Sequence, residues 1–185
     1  MTKTRHRNVL VAVACAAVLA GCSAPAPISD TSPGDPLIRT WKEGERPAVP
    51  DLSGPSLEGS TVSLSDFRGK VVLINAWASY CGPCRAEAPE LKKIQQKYGA
   101  RGLRVLGLDN DGGRGAGLAF QKQYRLDYPS LHDPSGKQLL RLPRGVVTTQ
   151  GLPFTIVVDS SGKVAAVRMG AVTEGRLAKI IEPLL

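Results

Sequence analysis

The chain has 185 residues, of which 42% are hydrophobic and 22% are charged, a length and composition that exclude both a disordered chain and a protein with many membrane spans. Its formal charge of +8 results from 24 Lys and Arg against 16 Asp and Glu, and only 5% of the residues are aromatic. Because no basic run alternates with aromatic side chains that could stack on bases, we expect no nucleic-acid partner.

The first 21 residues are predicted to form a lipoprotein signal peptide. Residues 2–8 carry three basic side chains, and residues 9–20 form an apolar run that is too short to cross a bilayer as a helix. The run ends in Leu19-Ala20-Gly21-Cys22, which resembles the lipobox of bacterial lipoprotein precursors. This resemblance implies that Cys22 is acylated and that its lipid chains anchor the mature protein to the membrane. The alternative is a plain secretory peptide whose small residues precede a cysteine.

Residues 22–46 are predicted to be the acylated cysteine followed by a flexible tether, because they are rich in Ala, Pro, Ser, Asp and Gly. Trp41 is the one large apolar side chain expected to dock on the folded part, which is predicted to occupy residues 47–185. If Cys15 leaves with the signal and Cys22 carries lipid, Cys81 and Cys84 are the cysteines that remain for sulfur chemistry.

The folded part begins with a pattern of alternating strands and helices. Residues 71–77 are almost all β-branched or apolar, which predicts a central strand covered on both faces. Apolar side chains recur at helical spacing over residues 85–98, and Gly99 is expected to end this helix in the left-handed conformation. A second strand is predicted at residues 103–108 and a second helix at residues 116–124, and the crossover between parallel strands is expected to be right-handed.

The carboxyl-terminal part predicts a β-hairpin and a final helix. Residues 154–158 and 164–169 flank a turn, and a shorter strand or hairpin is expected earlier, at residues 61–67. The final helix follows from four apolar residues that share one helical face, Leu177, Ile180, Ile181 and Leu184. Together these elements predict an α/β fold with a mixed central sheet flanked by helices.

The pair of cysteines in Cys81-Gly82-Pro83-Cys84 directly follows the predicted central strand and begins a helix, which is the setting of a redox-active C-x-x-C motif. A thiolate at a helix N-terminus faces unpaired backbone N–H groups and the positive end of the helix dipole. We therefore expect a lowered pKa for Cys81, which is predicted to be the nucleophile. Cys84, expected to be deeper, is predicted to resolve the mixed disulfide.

The sequence gives less support to two other roles for this cysteine pair. Half of a zinc site would need further ligands, but the chain offers only His132 and, in the predicted signal, His6. A purely structural disulfide across two residues would restrain little chain entropy. Neither a metal nor a cofactor other than the redox-active Cys81–Cys84 disulfide is expected.

The stretch from Leu64-Ser65-Asp66-Phe67-Arg68-Gly69-Lys70 through Ala86-Glu87-Ala88-Pro89 resembles the TlpA/ResA branch of the thioredoxin-like superfamily. These membrane-tethered thiol-disulfide oxidoreductases include cytochrome c maturation proteins. The resemblance covers about residues 47–185 and implies a thioredoxin-like fold and an extracytoplasmic role in thiol redox chemistry. It also implies client proteins with disulfides or thiols, such as apocytochrome c, and a membrane thiol reductant of the CcdA/DsbD type as electron donor.

The same resemblance implies a cis proline beside the disulfide, and Pro153 occupies the matching position. A proline lacks a backbone N–H, so the backbone around Leu152 and Pro153 is expected to pair with a client strand. Tyr80, which stands where the family usually has Trp, is expected to border the client together with Gly82 and Pro83. The alternative for Pro153 is an ordinary trans proline in a turn.

A carboxyl group for proton transfer is expected on the helix rather than on the central strand. Cytosolic thioredoxins carry a buried Asp on that strand, and the matching residue here is Asn75, which cannot titrate. Glu87 follows Cys84 by one helical turn and matches the active-site Glu of ResA-like proteins, so it is predicted to take part in catalysis. The alternative is a solvated carboxylate on the helix surface.

The sequence thus predicts an extracytoplasmic, lipid-anchored protein-disulfide reductase, located on the periplasmic side if the cell has an outer membrane. One alternative is a redoxin-type peroxidase, which would need a single peroxidatic Cys, and another is a copper-delivery lipoprotein of the Sco type, which would have wider Cys spacing. The acidic run 109–113 lacks the register of an EF-hand and is expected to form a loop at a strand end.

Overall fold

The computed structural model describes residues 35–147 and 151–185. The predictions for the signal peptide, for Cys22 and for the first part of the tether therefore lie outside the described residues. The strands and longer helices follow one another as β1 Ile38–Thr40, β2 Ser53–Pro55, β3 Thr61–Ser63, β4 Val71–Trp77, α1 Gly82–Tyr98, β5 Leu103–Asp109, α2 Arg114–Tyr124, β6 Ser130–His132, α3 Lys137–Arg141, β7 Phe154–Val158, β8 Val164–Met169 and α4 Glu174–Ile181.

Six of the strands form one mixed sheet in the order β1-β8-β7-β4-β5-β6. Strands β4, β5 and β6 are parallel, whereas β7 runs antiparallel to both β4 and β8. The predicted hairpin at residues 154–169 is therefore confirmed, as is the α/β class with a mixed sheet. The short hairpin of β2 and β3 forms a separate two-stranded sheet.

Strand β4 lies at the centre of the sheet, and all seven of its residues are buried. Alternate side chains point to opposite faces of a strand, so one set packs with α1 and α4 and the other packs with the segments that cover the second face. The first set includes Val71 and Leu73, and the second consists of Val72, Ile74 and Ala76. This two-sided burial is the reason that every residue of β4 except Asn75 is apolar.

The prediction of a flexible tether through residue 46 is wrong for its last part. Strand β1 pairs antiparallel with β8, and Ile38 lies opposite Arg168. The Trp41 N–H donates to the Ala165 carbonyl oxygen at 2.9 Å, and the indole packs against the core, as expected for this side chain. The composition of residues 22–46 is typical of a tether and gave no sign of a strand. Residues 38–40 nevertheless form one, because the edge of β8 supplies partners for their backbone hydrogen bonds.

The first helix ends at Tyr98 as predicted but starts earlier than residue 85, and the conformation of the residue after it also differs from the prediction. It begins at Gly82, because Pro83 in the first turn needs no N–H partner. Gly99 has a right-handed φ of −56° and continues into a short 3-10 turn, so its predicted left-handed conformation is wrong. The left-handed residue is Gly102, with φ of 101°.

Among residues 35–147 and 151–185, no helix combines the length and the apolar character that crossing a bilayer demands.

Candidate active site

The two cysteines predicted to react lie together where β4 leads into α1. Cys81 is the N-cap of α1 and Cys84 belongs to its first turn. Their sulfur atoms form a disulfide with an S–S distance of 2.07 Å and a Cα–Cα distance of 5.2 Å. The structure therefore places the C-x-x-C pair at a strand-to-helix junction, as the sequence predicted.

The two sulfur atoms have different surroundings. The Cys84 N–H donates a hydrogen bond of 3.2 Å to Cys81 Sγ, using one of the backbone donors that a helix N-terminus leaves without a partner. Cys81 is 8% exposed and Cys84 is 1% exposed. Only Cys81 can therefore be reached by a large molecule, and its sulfur receives the N–H that would stabilise a thiolate.

Aromatic side chains form the floor beneath the cysteine pair. Trp77 is fully buried and stacks on Phe120 with a centroid distance of 4.5 Å, and both belong to the apolar cluster that contains Cys81 and Cys84. Strand β5 passes close to this floor at Gly107. A Cβ atom at Gly107 would lie 2.8 Å from Trp77 Nε1 and would overlap the Ser130 side chain. The absence of a side chain at residue 107 therefore lets the indole fit beneath the cysteines.

An open groove of about 420 Å³ runs beside Cys81. Its lining consists of Tyr80, Cys81, Pro83, Asn110, Leu139, Gly151, Leu152 and Phe154. Tyr80 is 68% exposed, so its ring forms a rim rather than part of the core. The groove thus brings together Tyr80, Pro83 and Leu152, three of the residues expected to contact a client.

The Leu152–Pro153 peptide bond is cis, as the resemblance implied. Pro153 itself is buried, and its carbonyl oxygen accepts a hydrogen bond of 2.8 Å from the Gly170 N–H. Gly82 is exposed at the first position of α1. The sequence analysis missed Asn110 and Leu139. Asn110 could have been found, because it directly follows β5, whose carboxyl end lies beside that of β4.

Glu87 is buried, and the alternative of a solvated surface carboxylate is wrong. Its side chain is held by two donors: Asn75 Nδ2 donates to Oε1 at 2.8 Å, and the Val172 N–H donates to Oε2 at 2.9 Å. Burial raises the pKa of Glu87 to about 7, against the opposing effect of these hydrogen bonds and of the Arg168 charge. A carboxyl group with such a pKa can exchange a proton near neutral pH.

Asn75 completes the surroundings of this carboxyl group from the central strand. Besides the bond to Glu87, its Nδ2 donates to Thr155 Oγ1 at 3.1 Å. The side chain is 1% exposed, so the amide has no access to bulk water. The strand therefore supplies a fixed donor, while the group that titrates lies on α1.

Within the described ranges, no cluster of three or more His, Cys, Asp or Glu side chains is placed to hold a metal ion.

Comparisons with known proteins agree with this geometry. The sequence pattern of the redoxin family matches residues 42–181. The thiol-disulfide oxidoreductase ResA of Bacillus thuringiensis subsp. konkukian (strain 97-27) is 31% identical over 139 residues, which cover 74% of this chain and 76% of that protein. The thioredoxin-like protein YneN of Bacillus subtilis (strain 168) is 30% identical over 144 residues, which cover 76% of this chain and 79% of YneN.

Two solved structures share the fold and much of the sequence. A secreted thiol-disulfide isomerase from Corynebacterium glutamicum superposes with a TM-score of 0.76 at 35% identity, covering 83% of this chain and 95% of that chain. A DsbF homologue from Corynebacterium diphtheriae gives the same TM-score of 0.76 and 35% identity, with 83% and 97% covered. The fold is therefore thioredoxin-like, and the chain belongs to the redoxin family, within which it is a thiol-disulfide oxidoreductase of the ResA/TlpA-like type.

Proposed function

We propose that this protein is a lipid-anchored, extracytoplasmic reductase of disulfides in client proteins. The observation that carries the proposal is the unequal placement of the two sulfur atoms at the start of α1. Cys81 is the more exposed and accepts the Cys84 N–H, whereas Cys84 is enclosed. This arrangement suits an attacking thiolate and a second thiol that acts only on a sulfur already bonded to Cys81.

The reaction proceeds through a mixed disulfide. The Cys81 thiolate attacks one sulfur atom of the client disulfide, and the other client sulfur leaves as a thiolate and takes up a proton. Cys84 then loses its proton and attacks Cys81 Sγ, which forms the Cys81–Cys84 bond and releases the second client thiol. Two electrons pass from the protein dithiol to the client, and the protein ends in the disulfide form.

Glu87 accepts the proton of Cys84 in the second step, directly or through water. Three features support this role: burial that raises the pKa of Glu87 to about 7, its position one helical turn beyond Cys84, and the two hydrogen bonds that hold both carboxyl oxygens. Asn75, which cannot titrate, orients the carboxyl group from the strand. Proton transfer thus occurs between two residues of the same helix.

The groove beside Cys81 binds the client as an extended segment. Tyr80, Pro83 and Leu152 line this groove together with Cys81, and Leu152 lies just before β7. Pro153 has no N–H to donate, and Gly82 presents no side chain that would block approach to the sulfur. An extended polypeptide can therefore lie against the backbone before Pro153 with its disulfide over Cys81.

The reducing direction is favoured by the resemblance of the residues between the cysteines to those of thioredoxin. Gly82-Pro83 is the dipeptide of cytosolic thioredoxin, whose potential is about −270 mV, against about −120 mV for the oxidant DsbA. A membrane thiol reductant of the CcdA/DsbD type would return the protein to the dithiol form. The haem-binding cysteine pair of an apocytochrome c is the client that the resemblance to cytochrome c maturation proteins favours.

The extracytoplasmic location rests on residues 1–22 and on a relative. The order of basic head, apolar run and lipobox predicts export and acylation of Cys22. The Corynebacterium glutamicum relative is described as secreted. A Cys22→Ser variant should therefore move from the membrane fraction to the soluble extracytoplasmic fraction, whereas an unchanged distribution would contradict lipid anchoring.

Trapping of the client tests the catalytic part of the proposal. In cells that produce a Cys84→Ser variant, clients should remain bound to Cys81 as mixed disulfides that thiol reductants release. A Cys81→Ser variant is the matched control and should hold no client. If both variants capture the same proteins, or neither captures any, turnover through a Cys81 mixed disulfide is contradicted.

A further inference from the structure

A buried carboxylate holds the segment that leads into Cys81. Asp111 is 3% exposed and lies just after β5. Its Oδ2 accepts the Ser79 N–H at 3.0 Å, and its Oδ1 accepts the Ser79 hydroxyl at 2.8 Å. Ser79 stands two residues before Cys81. The backbone N–H and the hydroxyl of Ser79 are therefore both bound to the side chain of Asp111, which follows β5 and not β4.

The backbone of Asp111 is in turn bound to a second buried carboxylate, that of Asp109. The Asp111 N–H donates to Asp109 Oδ1 at 3.2 Å, and Asp109 Oδ2 lies 2.7 Å from His132 Nδ1. Asp109 is fully buried, and the His132 side chain is 12% exposed. Contacts thus run without interruption from His132 at the end of β6, through Asp109 and Asp111, to Ser79.

The turn that receives these contacts sets the position of the reactive sulfur. The Cys81 N–H donates to the Ala78 carbonyl oxygen at 3.1 Å, which closes a turn around Ser79 and Tyr80. Tyr80 is largely exposed and cannot fix this turn by packing. The two hydrogen bonds from Ser79 to Asp111 are therefore the side-chain contacts that restrain this turn.

We infer that Asp111 is a positioning residue that, by holding Ser79, keeps Cys81 Sγ against the N–H groups at the start of α1. The inference rests on the proposed role of Cys81 as the attacking thiol. It assigns a function to an acidic loop that the C-x-x-C motif does not include. Asp111 does not touch the reacting atoms and acts through the backbone of residues 79–81.

The chemistry of the two Ser79 donors allows charge and positioning to be separated. A carboxylate can accept from both the N–H and the hydroxyl. An Asn side chain can accept the N–H with its oxygen and donate to the hydroxyl oxygen with its NH₂ group, whereas Ala can do neither. Asp111→Asn and Asp111→Ala both remove the negative charge, but only Asp111→Ala removes the restraint.

The experiment measures the alkylation rate of Cys81 by iodoacetamide as a function of pH. The full-length protein is reduced, and the modified peptides are identified by mass so that the other cysteines do not contribute. Thermal unfolding of each variant reports whether the fold is retained. Asp127→Ala, which removes an exposed carboxylate, is the matched control for charge.

We expect Asp111→Ala to alkylate at neutral pH about tenfold more slowly than Asp111→Asn, with its pH profile moved to higher pH by a corresponding amount. Ser79→Ala, which keeps the N–H bond and loses the hydroxyl bond, should fall between them. Equal rates for Asp111→Ala and Asp111→Asn would overturn the inference, whatever their common difference from the parent protein.

Two further outcomes are decisive. If Asp111→Ala does not fold, Ser79→Ala is compared with the parent protein, and an unchanged rate overturns the positioning role. If Cys81 of the parent protein reacts no faster than an ordinary cysteine at neutral pH, the proposed nucleophile and the inference built on it both fail. If Cys81 of the parent protein reacts faster than an ordinary cysteine but the variants react at the same rate as the parent, only the inference about Asp111 is overturned.

Discussion

Asn75 on the central strand donates a hydrogen bond of 2.8 Å to Glu87 on the active-site helix, and each side chain is 1% exposed. The strand position therefore carries an amide that cannot change its charge, and the helix position carries the acid. The second oxygen of Glu87 accepts from the Val172 N–H, just before α4. A single carboxyl group thus joins the central strand, the active-site helix and the approach to the last helix.

The first prediction concerns the stability of the oxidised protein at different pH values. Burial raises the pKa of Glu87 from its ordinary value of 4.5 to about 7. The stabilisation that this group provides is complete below about pH 4.5 and is lost as the pH rises through about 7. The loss amounts to about 3 kcal/mol of the free energy of unfolding.

Urea unfolding at several pH values measures this effect. The parent protein should lose stability relative to Glu87→Gln between about pH 4.5 and pH 7, because the Gln side chain has no proton to lose. Glu58→Gln, at an exposed position, is the control and should follow the parent protein. Parallel curves for the parent protein and Glu87→Gln would show that the buried carboxyl group has an ordinary pKa.

The second prediction concerns the resolving step. Without a carboxyl base to accept its proton, Cys84 should attack the mixed disulfide at Cys81 about 100-fold more slowly in Glu87→Gln at neutral pH. Stopped-flow detection of the second client thiol measures this rate. The first step, attack by Cys81, should change much less, since its thiolate is stabilised by the start of α1. An unchanged pH profile of the resolving step would exclude Glu87 from proton transfer.

The third prediction concerns client binding in the groove beside Cys81. Tyr80→Ala should raise the KM for a disulfide-containing peptide about tenfold, because an exposed aromatic rim contributes to binding. The rate of disulfide reduction by dithiothreitol should be unchanged, since that small molecule does not need the rim. Leu118→Ala, which removes a 40% exposed side chain from α2, is the control. If Tyr80→Ala slowed the reactions with the peptide and with dithiothreitol equally, Tyr80 would affect the reactivity of the Cys81 sulfur and not the binding of the client.

The fourth prediction concerns the close approach of β5 to Trp77. Gly107→Ala should destabilise the protein by about 1 to 3 kcal/mol, because the new methyl group overlaps Ser130 and presses on the indole. Gly115→Ala in α2 meets no neighbouring atom within 4 Å and should instead stabilise the protein by about 0.5 to 1 kcal/mol. Chemical denaturation of the two variants measures the difference, and a tolerated Gly107→Ala would mean that the floor beneath the cysteines can relax.

The central part of the fold was predictable because its signals are local. Three signals are adjacent in sequence: the mostly apolar run of residues 71–77, the C-x-x-C motif and the helical spacing of apolar side chains after it. Together they locate β4, α1 and the disulfide. The cis bond before Pro153 followed from a family resemblance and not from the residues themselves.

The remaining parts depend on contacts between distant residues. Glu87 accepts a hydrogen bond from the Val172 N–H, which is 85 residues away, and Ser79 is bound to Asp111 across 32 residues. The strand β1 exists because the edge of β8 offers partners to a segment of weak β character. No pattern within a few residues encodes such pairings. Composition therefore predicted a tether where the structure has the strand β1, and it gave no sign that the loop after β5 holds Ser79.

Both outer strands of the six-stranded sheet, β1 and β6, are only three residues long. Short edges offer a neighbouring chain few unpaired backbone groups. The two edges of this sheet therefore give an unfolded chain few positions at which it could add a further strand.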